Sequence, residues 1–394
     1  MTLTPTLKLS LEMTNVLTRI EMNGLKVNLD TLDEIEKEYN EELSYLENKL
    51  QTMAKEAMGD TPINLSSPDD RSVLLYSRKV KDKTLWSTAF NLGHEMRGNT
   101  IKPKLRTRMK KNDFIRNVRN MTDIVYKTVG RQCETCRGVG RITPLKKDGS
   151  VGKAVRICKP CKGKGTVYES TNEVAGFKII PRNPKDVASA GFKTDKVTLE
   201  DRSTELSGEA REFCVAYSRY NAIRTYLSTF VEGMKNNVDD DNFIHPEFMQ
   251  CVTATGRLSS RNPNFQNMPR GSTFAIRKVV ESRFDGGYIL EGDYSQLEFR
   301  VAGFLARDPQ AYDDVLKGTD VHSYTASIIG CSRQDAKAHT FKPLYGGVSG
   351  TPAQQAYYTA FKEKYEKVAD WHKELEKEAV KTKEIKLPSG RTYA

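Results

Sequence analysis

No run in the 394-residue sequence approaches the roughly 18 uninterrupted apolar residues that a membrane-spanning helix requires. The opening, MTLTPTLKLSLEMTNVL, lacks the basic-then-apolar order and small-residue cleavage site of a secretory leader. Low-complexity tracts are missing, as are internal repeats apart from one doubled cysteine motif. A disulfide framework is also missing: seven cysteines is an odd number, and four of them fall in two C-x-x-C pairs. That usage belongs to metal binding in a reducing compartment. The expectation is a soluble protein of the cytoplasm with no membrane partner.

What is present is ordinary in bulk and unusual in charge. A hydrophobic content of 38% with 29% charged residues suits a globular chain, and the length suits two or three structural units. The net charge of +11 favours an anionic partner, nucleic acid first.

Residues 8–57 carry apolar residues at three- and four-residue intervals and predict helix, with Asn28 or Asp30 as a cap. TPINLSSPDD breaks that pattern. Between 101 and 170 there are 19 Lys or Arg against 5 Asp or Glu, with clustered glycines, which predicts an insertion with its own logic. Helix returns over 198–236. Short strands and turns fill 240–300, including a strand ending at Asp293. Helices are expected over 296–306, 309–316, 321–329, 332–346 and 352–383.

CETCRGVG (133–140) and CKPCKGKG (158–165) are two copies of C-x-x-C-x-G-x-G. Each presents two thiolates to one cation, and the glycines let backbone N–H groups turn toward the sulfurs. Two such knuckles give the tetrahedral thiolate site that suits Zn²⁺, here Cys133, Cys136, Cys158 and Cys161. Four protein ligands make the site structural, a staple for a basic insertion too small to build its own core. The pattern resembles the zinc module of J-domain co-chaperones, with two repeats where those have four. Such an insertion would grip duplex DNA, dock a partner or serve only as a staple. The remaining cysteines, Cys214, Cys251 and Cys331, are expected to be small core residues.

Three further blocks carry chemistry. TATGRLSSRNPNFQNMPR (253–270) offers Arg257, Asn264, Gln266 and Asn267, side chains suited to the acceptors of a duplex minor groove. DYSQLEFR (293–300) places Asp293 at the end of a strand-like run and Glu298 in the helix after it. SRQDAKAHTFKPLYGG (332–347) sets Arg333, Lys337 and Phe341 at i, i+4 and i+8, along one face of a helix that drifts about 40° per step. Two cations there suit a triphosphate, and the ring suits a sugar or base.

Together these blocks resemble the family A DNA polymerases. DYSQLEFR is similar to that family's motif A, and R-x-x-x-K-x-x-x-F-x-x-x-Y-G to its motif B. TATGRLSSRNPNFQNMP is similar to the palm segment before motif A, and VLTRIEMNGLKVN and SRYNAIRTYLSTFVEG to segments flanking the thumb. The resemblance implies an α+β right-hand polymerase fold of thumb, fingers and incomplete palm, with a small zinc-binding insertion. It divides the chain into a palm/thumb-proximal segment (1–60), thumb (61–240, with the basic insertion at 101–175), palm with motif A (241–300), fingers with motif B (301–383) and the start of a second palm part (384–394).

The resemblance also implies roles. Asp293 would bind both Mg²⁺ ions, with the Tyr294 carbonyl as a further oxygen ligand. Arg333, Lys337 and His322 would contact the nucleotide phosphates. Phe341 would pack on the sugar and base, and Glu298 would crowd the 2′ position. Arg257, Asn264, Gln266 and Asn267 would meet the DNA at the primer end, and Tyr345 and Gly346 the template side. The substrates implied are dNTPs and primer–template DNA.

The sequence departs from the family in several places. Motif C, the His-Asp-Glu segment that brings the second metal carboxylate, does not occur before the sequence closes at KLPSGRTYA. Asp313, Asp314 and Asp320 follow motif A too closely to replace it. No proofreading exonuclease precedes the thumb-proximal segment, and Lys342-Pro343 should kink the motif B helix. The reading is a split polymerase of phage type, in the cytoplasm of a bacterial host. A complementing polypeptide would carry motif C, and an exonuclease or processivity factor would be separate. The rivals are a single-subunit RNA polymerase, against which Glu298 argues, and a non-catalytic primer–template-binding subunit.

Overall fold

The structure is a computed structural model that describes residues 5–97, 100–105, 109–143, 155–269, 271, 273–347, 352–387 and 390–393. It divides into two compact units. The larger comprises Lys26–Ile244 with Ser260–Val280, and the smaller comprises Met1–Leu25, His245–Ser259 and Glu281–Ala394. Among the described residues the sheets are small: seven two-stranded pairs and one sheet of three short strands. No helix of these residues is long and apolar enough to cross a membrane.

The larger unit is organised by the helix Leu29–Met58. Asn28 caps it, its side-chain oxygen accepting from Thr31 N–H at 2.9 Å. Leu32, Ile35, Tyr39, Leu46, Leu50 and Ala54 form its buried stripe, the three- and four-residue spacing seen in the sequence. That stripe shares a core with the helix Gly208–Tyr226, which buries Phe213, Tyr217, Ile223 and Tyr226. Tyr226 stacks on Phe274 at 4.3 Å and meets Tyr39 edge-on at 4.9 Å. At the rim, Arg219 grips Glu42 through two 2.7 Å hydrogen bonds.

The basic insertion splits into two parts. The helix Lys111–Met121 buries Phe114 and Val118 in the main core, beside Trp86 and Phe90. The ribbon beyond it is tied to the end of the long helix at its stem, where Asp60 N–H donates to Thr128 O at 2.8 Å and Gly130 N–H to Asp60 Oδ2 at 2.9 Å. Strand Tyr126–Gln132 pairs antiparallel with Thr166–Val174, with a register shift between Tyr126 and Thr128, and the cysteine knuckles follow at its end. The free cysteines divide three ways: Cys214 is buried as expected, Cys331 is half-buried, and Cys251 is exposed and no core residue.

The smaller unit centres on five helices, Leu297–Ala306, Pro309–Leu316, Val321–Ile329, Pro352–Lys364 and Glu366–Thr382. Phe299, Val321, Leu344, Tyr357, Phe361 and Tyr365 are its core. Asp308, 1% exposed, ties two of these helices together. Its carboxylate caps Pro309–Leu316 through Ala311 N–H at 2.9 Å. The same carboxylate accepts from Lys367 and Val368 N–H at 3.1 and 3.2 Å, in the first turn of Glu366–Thr382.

Two expectations fail in instructive ways. The stretch 288–294 forms no strand among the described residues: it is irregular and exposed, with Tyr288 at 89% and Leu290 at 94%. A strand is stabilised by a neighbour's hydrogen bonds, and no described segment pairs with this one. The motif B helix also ends early, at Thr340, and a 3₁₀ turn, Pro343–Tyr345, follows it. Pro343 has no N–H for the helical ladder, which accounts for the break.

Candidate polymerase site and cysteine centre

Two side-chain clusters assemble in the smaller unit. The first gathers His322, Arg333 and Phe341. Asp320 caps the helix Val321–Ile329 through His322 N–H at 3.1 Å. The same carboxylate accepts from Arg333 Nε at 2.5 Å and from the Ser323 hydroxyl at 2.7 Å. The Arg333 bond, and then Ser323, hold the Asp320 carboxyl well below the usual range. The His322 ring lies edge-on to Phe341 at 5.3 Å, and its Nδ1 is 3.0 Å from Thr340 Oγ1.

Thr340 is fully buried, and its hydroxyl donates toward Ala336 O or Thr325 Oγ1. With its proton so placed it accepts from His322 Nδ1–H, the tautomer that leaves Nε2 without a hydrogen in the neutral ring. Burial holds the His322 pKa below its ordinary value. The cations Arg333 and Lys337 act in the same direction and Asp320 against it. Tyr357 completes the support by donating to Thr340 O at 2.9 Å.

The second cluster joins Arg257, Glu298 and Tyr345. Arg257 Nη2 lies 3.4 Å from Glu298 Oε1. Burial, then the Glu298 charge, raises the Tyr345 hydroxyl above its ordinary range, while Arg257 opposes the shift. Gly346, which ends the turn at φ 76°, takes a conformation that favours glycine. The loop carrying Arg257 is braced by the short hairpin Ile385–Lys386/Thr392–Tyr393, since Tyr393 OH donates to Thr255 O at 3.2 Å. Gly256 has φ 75°, a conformation that favours glycine, and the Arg391 guanidinium occupies the space beside it.

Asp293 and Tyr294 make none of the contacts that define either cluster; both are exposed in the unpaired stretch. The hard oxygen donors expected for Mg²⁺, a carboxylate and the adjacent carbonyl, are present there. The aspartates that follow motif A in sequence are engaged with other partners. Asp313 pairs with Lys317 at 2.6 Å, Asp314 with Lys364 at 2.9 Å and Tyr365 at 2.7 Å, and Asp320 with Arg333. A carboxylate with an adjacent carbonyl is a donor set that fits Mg²⁺.

The minor-groove candidates Asn264, Gln266 and Asn267 belong to the larger unit. On the 3₁₀ turn Phe265–Asn267, Phe265 and its neighbour Met268 pack toward the core, which leaves Gln266 and Asn267 exposed. Asn264 has a local task, its Oδ1 accepting from the buried Ser260 hydroxyl at 3.0 Å. Sequence reading missed Asp320, Thr340, Thr325 and Arg391 as supports. Asp320, one of the aspartates set aside as metal ligands, was the only one with a visible signal: an Asp directly before a helix is a capping residue.

The cysteine centre is the other site. Cys133, Cys136, Cys158 and Cys161 are all buried, with their sulfurs within 4.8 Å of one another. The pairs Cys133–Cys158 and Cys136–Cys161 lie at 3.7 and 3.6 Å, close to the edge of a tetrahedron with Zn–S bonds of about 2.3 Å. Gly140 and Gly165 N–H donate to the Cys136 and Cys161 sulfurs at 3.2 and 3.3 Å. The two knuckles are nearly superimposable in backbone: Arg137 and Lys162 have φ of 49° and 51°, and Gly138 and Gly163 both 87°. Burial pushes the Cys158 thiol up. In Cys161 the Gly165 amide and the facing thiols outweigh burial and bring the thiol down. Four buried sulfurs at this spacing fit a thiophilic divalent cation, and Zn²⁺ is the one this donor set suits.

Comparison with known proteins decides the family. The family model for DNA polymerase family A matches residues 175–394, more than half of the sequence. The chain belongs to DNA polymerase family A.

DNA polymerase I of Streptococcus pneumoniae (strain ATCC BAA-255 / R6) is 30% identical over 182 residues, 41% of this chain and 21% of that protein. The DNA polymerase of Bacillus phage SP01 is 31% identical over 179 residues, covering 43% and 19%. DNA polymerase I of Aquifex aeolicus is 27% identical over 246 residues, covering 53% and 41%. The chain thus spans between about a fifth and two fifths of these relatives' length. Among solved structures, the POL domain of Pol1 from M. smegmatis, in complex with DNA primer-template and dNTP, superposes with a TM-score of 0.56 at 20% identity. It covers 97% of this chain and 52% of that one. That likeness establishes a polymerase-like fold of mixed helix and strand. The ribbon with its cysteine centre precedes the segment matched by the family model.

Proposed function

We propose that this chain forms the thumb, fingers and part of the palm of a DNA-directed DNA polymerase of phage type. It would add dNTPs to a primer 3′ end during replication in the cytoplasm of a bacterial host. The observation that carries this reading is the gathering of His322, Arg333 and Phe341. Asp320 joins Arg333 to the His322 backbone, Phe341 lies edge-on to the His322 ring, and buried Thr340 holds that ring, in a chain that retains the other polymerase-like blocks. In this reading 61–240 is thumb, 241–300 palm and 301–383 fingers.

Each residue has a task its surroundings suit. Arg333 and Lys337 hold the triphosphate from one helix face, and fixed positive charge there favours the spread negative charge of phosphoryl transfer. His322, on taking up a proton at Nε2, donates from that nitrogen to a phosphate oxygen. Phe341 packs on the sugar and base. Glu298, fixed by Arg257, occupies the space a 2′-hydroxyl would need and so excludes ribonucleotides. When bound at Asp293 and the Tyr294 carbonyl, Mg²⁺ supplies the charge that activates the primer hydroxyl and stabilises the leaving pyrophosphate. Arg257, Gln266, Asn267, Tyr345 and Gly346 meet the primer–template, and Zn²⁺ in the cysteine centre is structural.

The second metal carboxylate comes, in this proposal, from a complementing polypeptide that carries motif C. Two exposed surfaces support it. The stretch before Asp293 leaves Tyr288 and Leu290 in solvent without a paired strand. The helix Pro5–Asn23 buries only Leu17, while Leu7, Leu9, Leu11, Ile20 and Met22 stay exposed. A separate exonuclease or processivity factor is compatible with the same arrangement. Asp293, standing apart from both clusters, is the observation that favours the alternative of a non-catalytic primer–template-binding subunit.

Primer extension separates the two. The chain is mixed with primer–template, Mg²⁺ and dNTPs, with and without a polypeptide bearing a motif C strand. Extension only in the complemented mixture, abolished by Asp293→Asn, is the expected result. Extension unaffected by Asp293→Asn, or binding with no extension under any complementation, would overturn the catalytic reading.

A further inference from the structure

The cysteine ribbon has a polarity along its length. At its stem both carboxylates are neutralised: Lys127 pairs with Glu173 at 2.6 Å, and Arg131 with Glu169 at 3.3 Å. At the knuckles the balance is different. Arg137, Arg141, Arg156, Lys159, Lys162 and Lys164 are all exposed, and none takes part in an ion pair among the described residues. Glu134 is the only described acidic residue in 133–143 and 155–165. Register places Arg141 opposite Ile157 and Arg156 opposite Ile142, so the cations come from both knuckles and from the hairpin between them.

A second observation makes this more than a charge run. Arg137 and Lys162 occupy equivalent positions in the two knuckles, each left-handed, at φ 49° and 51°. Glycine or asparagine takes that conformation at lower cost. Both knuckles nevertheless carry a cation there, and the bend turns its side chain outward from the sulfur centre, into solvent.

We infer that the end of the ribbon is a binding surface for the phosphate backbone of duplex DNA, separate from the polymerase site. The six exposed cations lack ion-pair partners among the described residues, and of the six only Lys164 faces a ring, Tyr168 at 5.9 Å. Val139, Val155 and Ile157 are exposed aliphatics, but the knuckles hold no aromatic residue. That combination suits a regular polyanion better than a protein surface, which is typically recognised through aromatic and apolar hot spots. Contacts to phosphates carry no sequence information, so the surface would hold duplex of any sequence.

The test is binding of a blunt-ended DNA duplex, with no extendable end and no dNTP, by the full chain over a salt series. The comparison is a variant with Arg137→Gln, Lys159→Gln, Lys162→Gln and Lys164→Gln. Each cation removed from a phosphate should reduce the slope of log K against log salt by about 0.9, so the variant should lose roughly 2–4 units of slope and at least about tenfold in affinity at low salt. An unchanged slope and affinity would overturn the inference.

The pair Lys159→Gln, Lys164→Gln leaves both left-handed positions intact and repeats the test should the fourfold variant lose its fold or its metal. It should lose about 1–2 units of slope. Poly-glutamate is the competing polyanion: preference for it over duplex of equal charge would assign the surface to an acidic protein and contradict the proposal. Because no nucleotide is incorporated, the outcome is independent of whether the chain polymerises DNA.

Discussion

Arg333 Nε donates a 2.5 Å hydrogen bond to Asp320 Oδ2, so the side chain proposed to meet the nucleotide phosphates is fastened before any nucleotide arrives. Asp320 engages only the Nε edge of the guanidinium in this contact. Two effects compete: the carboxylate partly cancels the charge, and it fixes the orientation. At a pair this exposed, charge cancellation is worth little, whereas misplacing a phosphate-binding group is costly. Asp320→Asn keeps a good helix cap and removes the charged anchor. It should raise the KM for dNTP roughly 3–10-fold, about 0.7–1.4 kcal/mol, with a smaller change in kcat. Steady-state kinetics in the complemented assembly measures this, and a fall in KM would show that charge cancellation is the larger effect.

His322 sits below its ordinary pKa because of burial first and the Arg333 and Lys337 charges next, so the free chain holds it neutral at pH 7. A bound triphosphate brings negative charge to Nε2 and raises the same pKa. Nucleotide binding should therefore take up a proton, and affinity for dNTP should rise as pH falls through the pKa that His322 has in the complex. The effect on stability has the opposite sign. A histidine with a depressed folded pKa contributes stability above its unfolded value, and that contribution is lost as pH falls below 6.5 and through the folded pKa. Dissociation constants across pH 5–8, with His322→Gln as the flat reference, check the first statement.

Asp308 carries the largest single stability prediction. Its buried carboxylate satisfies N–H groups at the starts of two helices, and its loss strands all three of those donors. Asp308→Ala should cost roughly 2–4 kcal/mol. Urea denaturation followed at the two tryptophans alone would not localise the effect, so hydrogen exchange of Lys367 and Val368 amides is the better probe.

Removing zinc should have a local effect. Chelation, or Cys136→Ser, should release one zinc per chain and expose the amides of 133–140 and 158–165 to rapid exchange. The core of the larger unit has its own support, including Tyr217 OH to Leu65 O at 3.0 Å, and should stay protected. Loss of protection at Leu50 and Phe213 on chelation would show that the ribbon and that core do not fold separately.

Much of this architecture was legible because it is local. Asn28 as a cap, the stripe from Leu32 to Ala54 and the four-cysteine centre follow from spacing within a few residues. The disturbance at Lys342-Pro343 was legible too, although it ends the helix at Thr340 where a kink within 332–346 was expected. What stayed hidden depends on distant partners. The strand expected before Asp293 needs a neighbour to hydrogen-bond, and no spacing rule supplies one. Asp308 reads as one helix cap, and its second helix, 59–60 residues downstream, is invisible in sequence. Phe114 and Val118 lie in a stretch whose charge suggested an insertion, yet they belong to the main core. For the proposed site, the motif residues were readable, but the Thr340–Thr325 network that holds His322 was not.

The most direct test of the polymerase account is primer–template binding by the purified chain, with Mg²⁺ present and each dNTP added in turn. A chain that assembles its nucleotide site around Arg333, Lys337 and Phe341 should bind primer–template more tightly with the one dNTP complementary to the templating base, and Lys337→Ala should remove that gain. Equal binding with all four dNTPs, or with none, would contradict it.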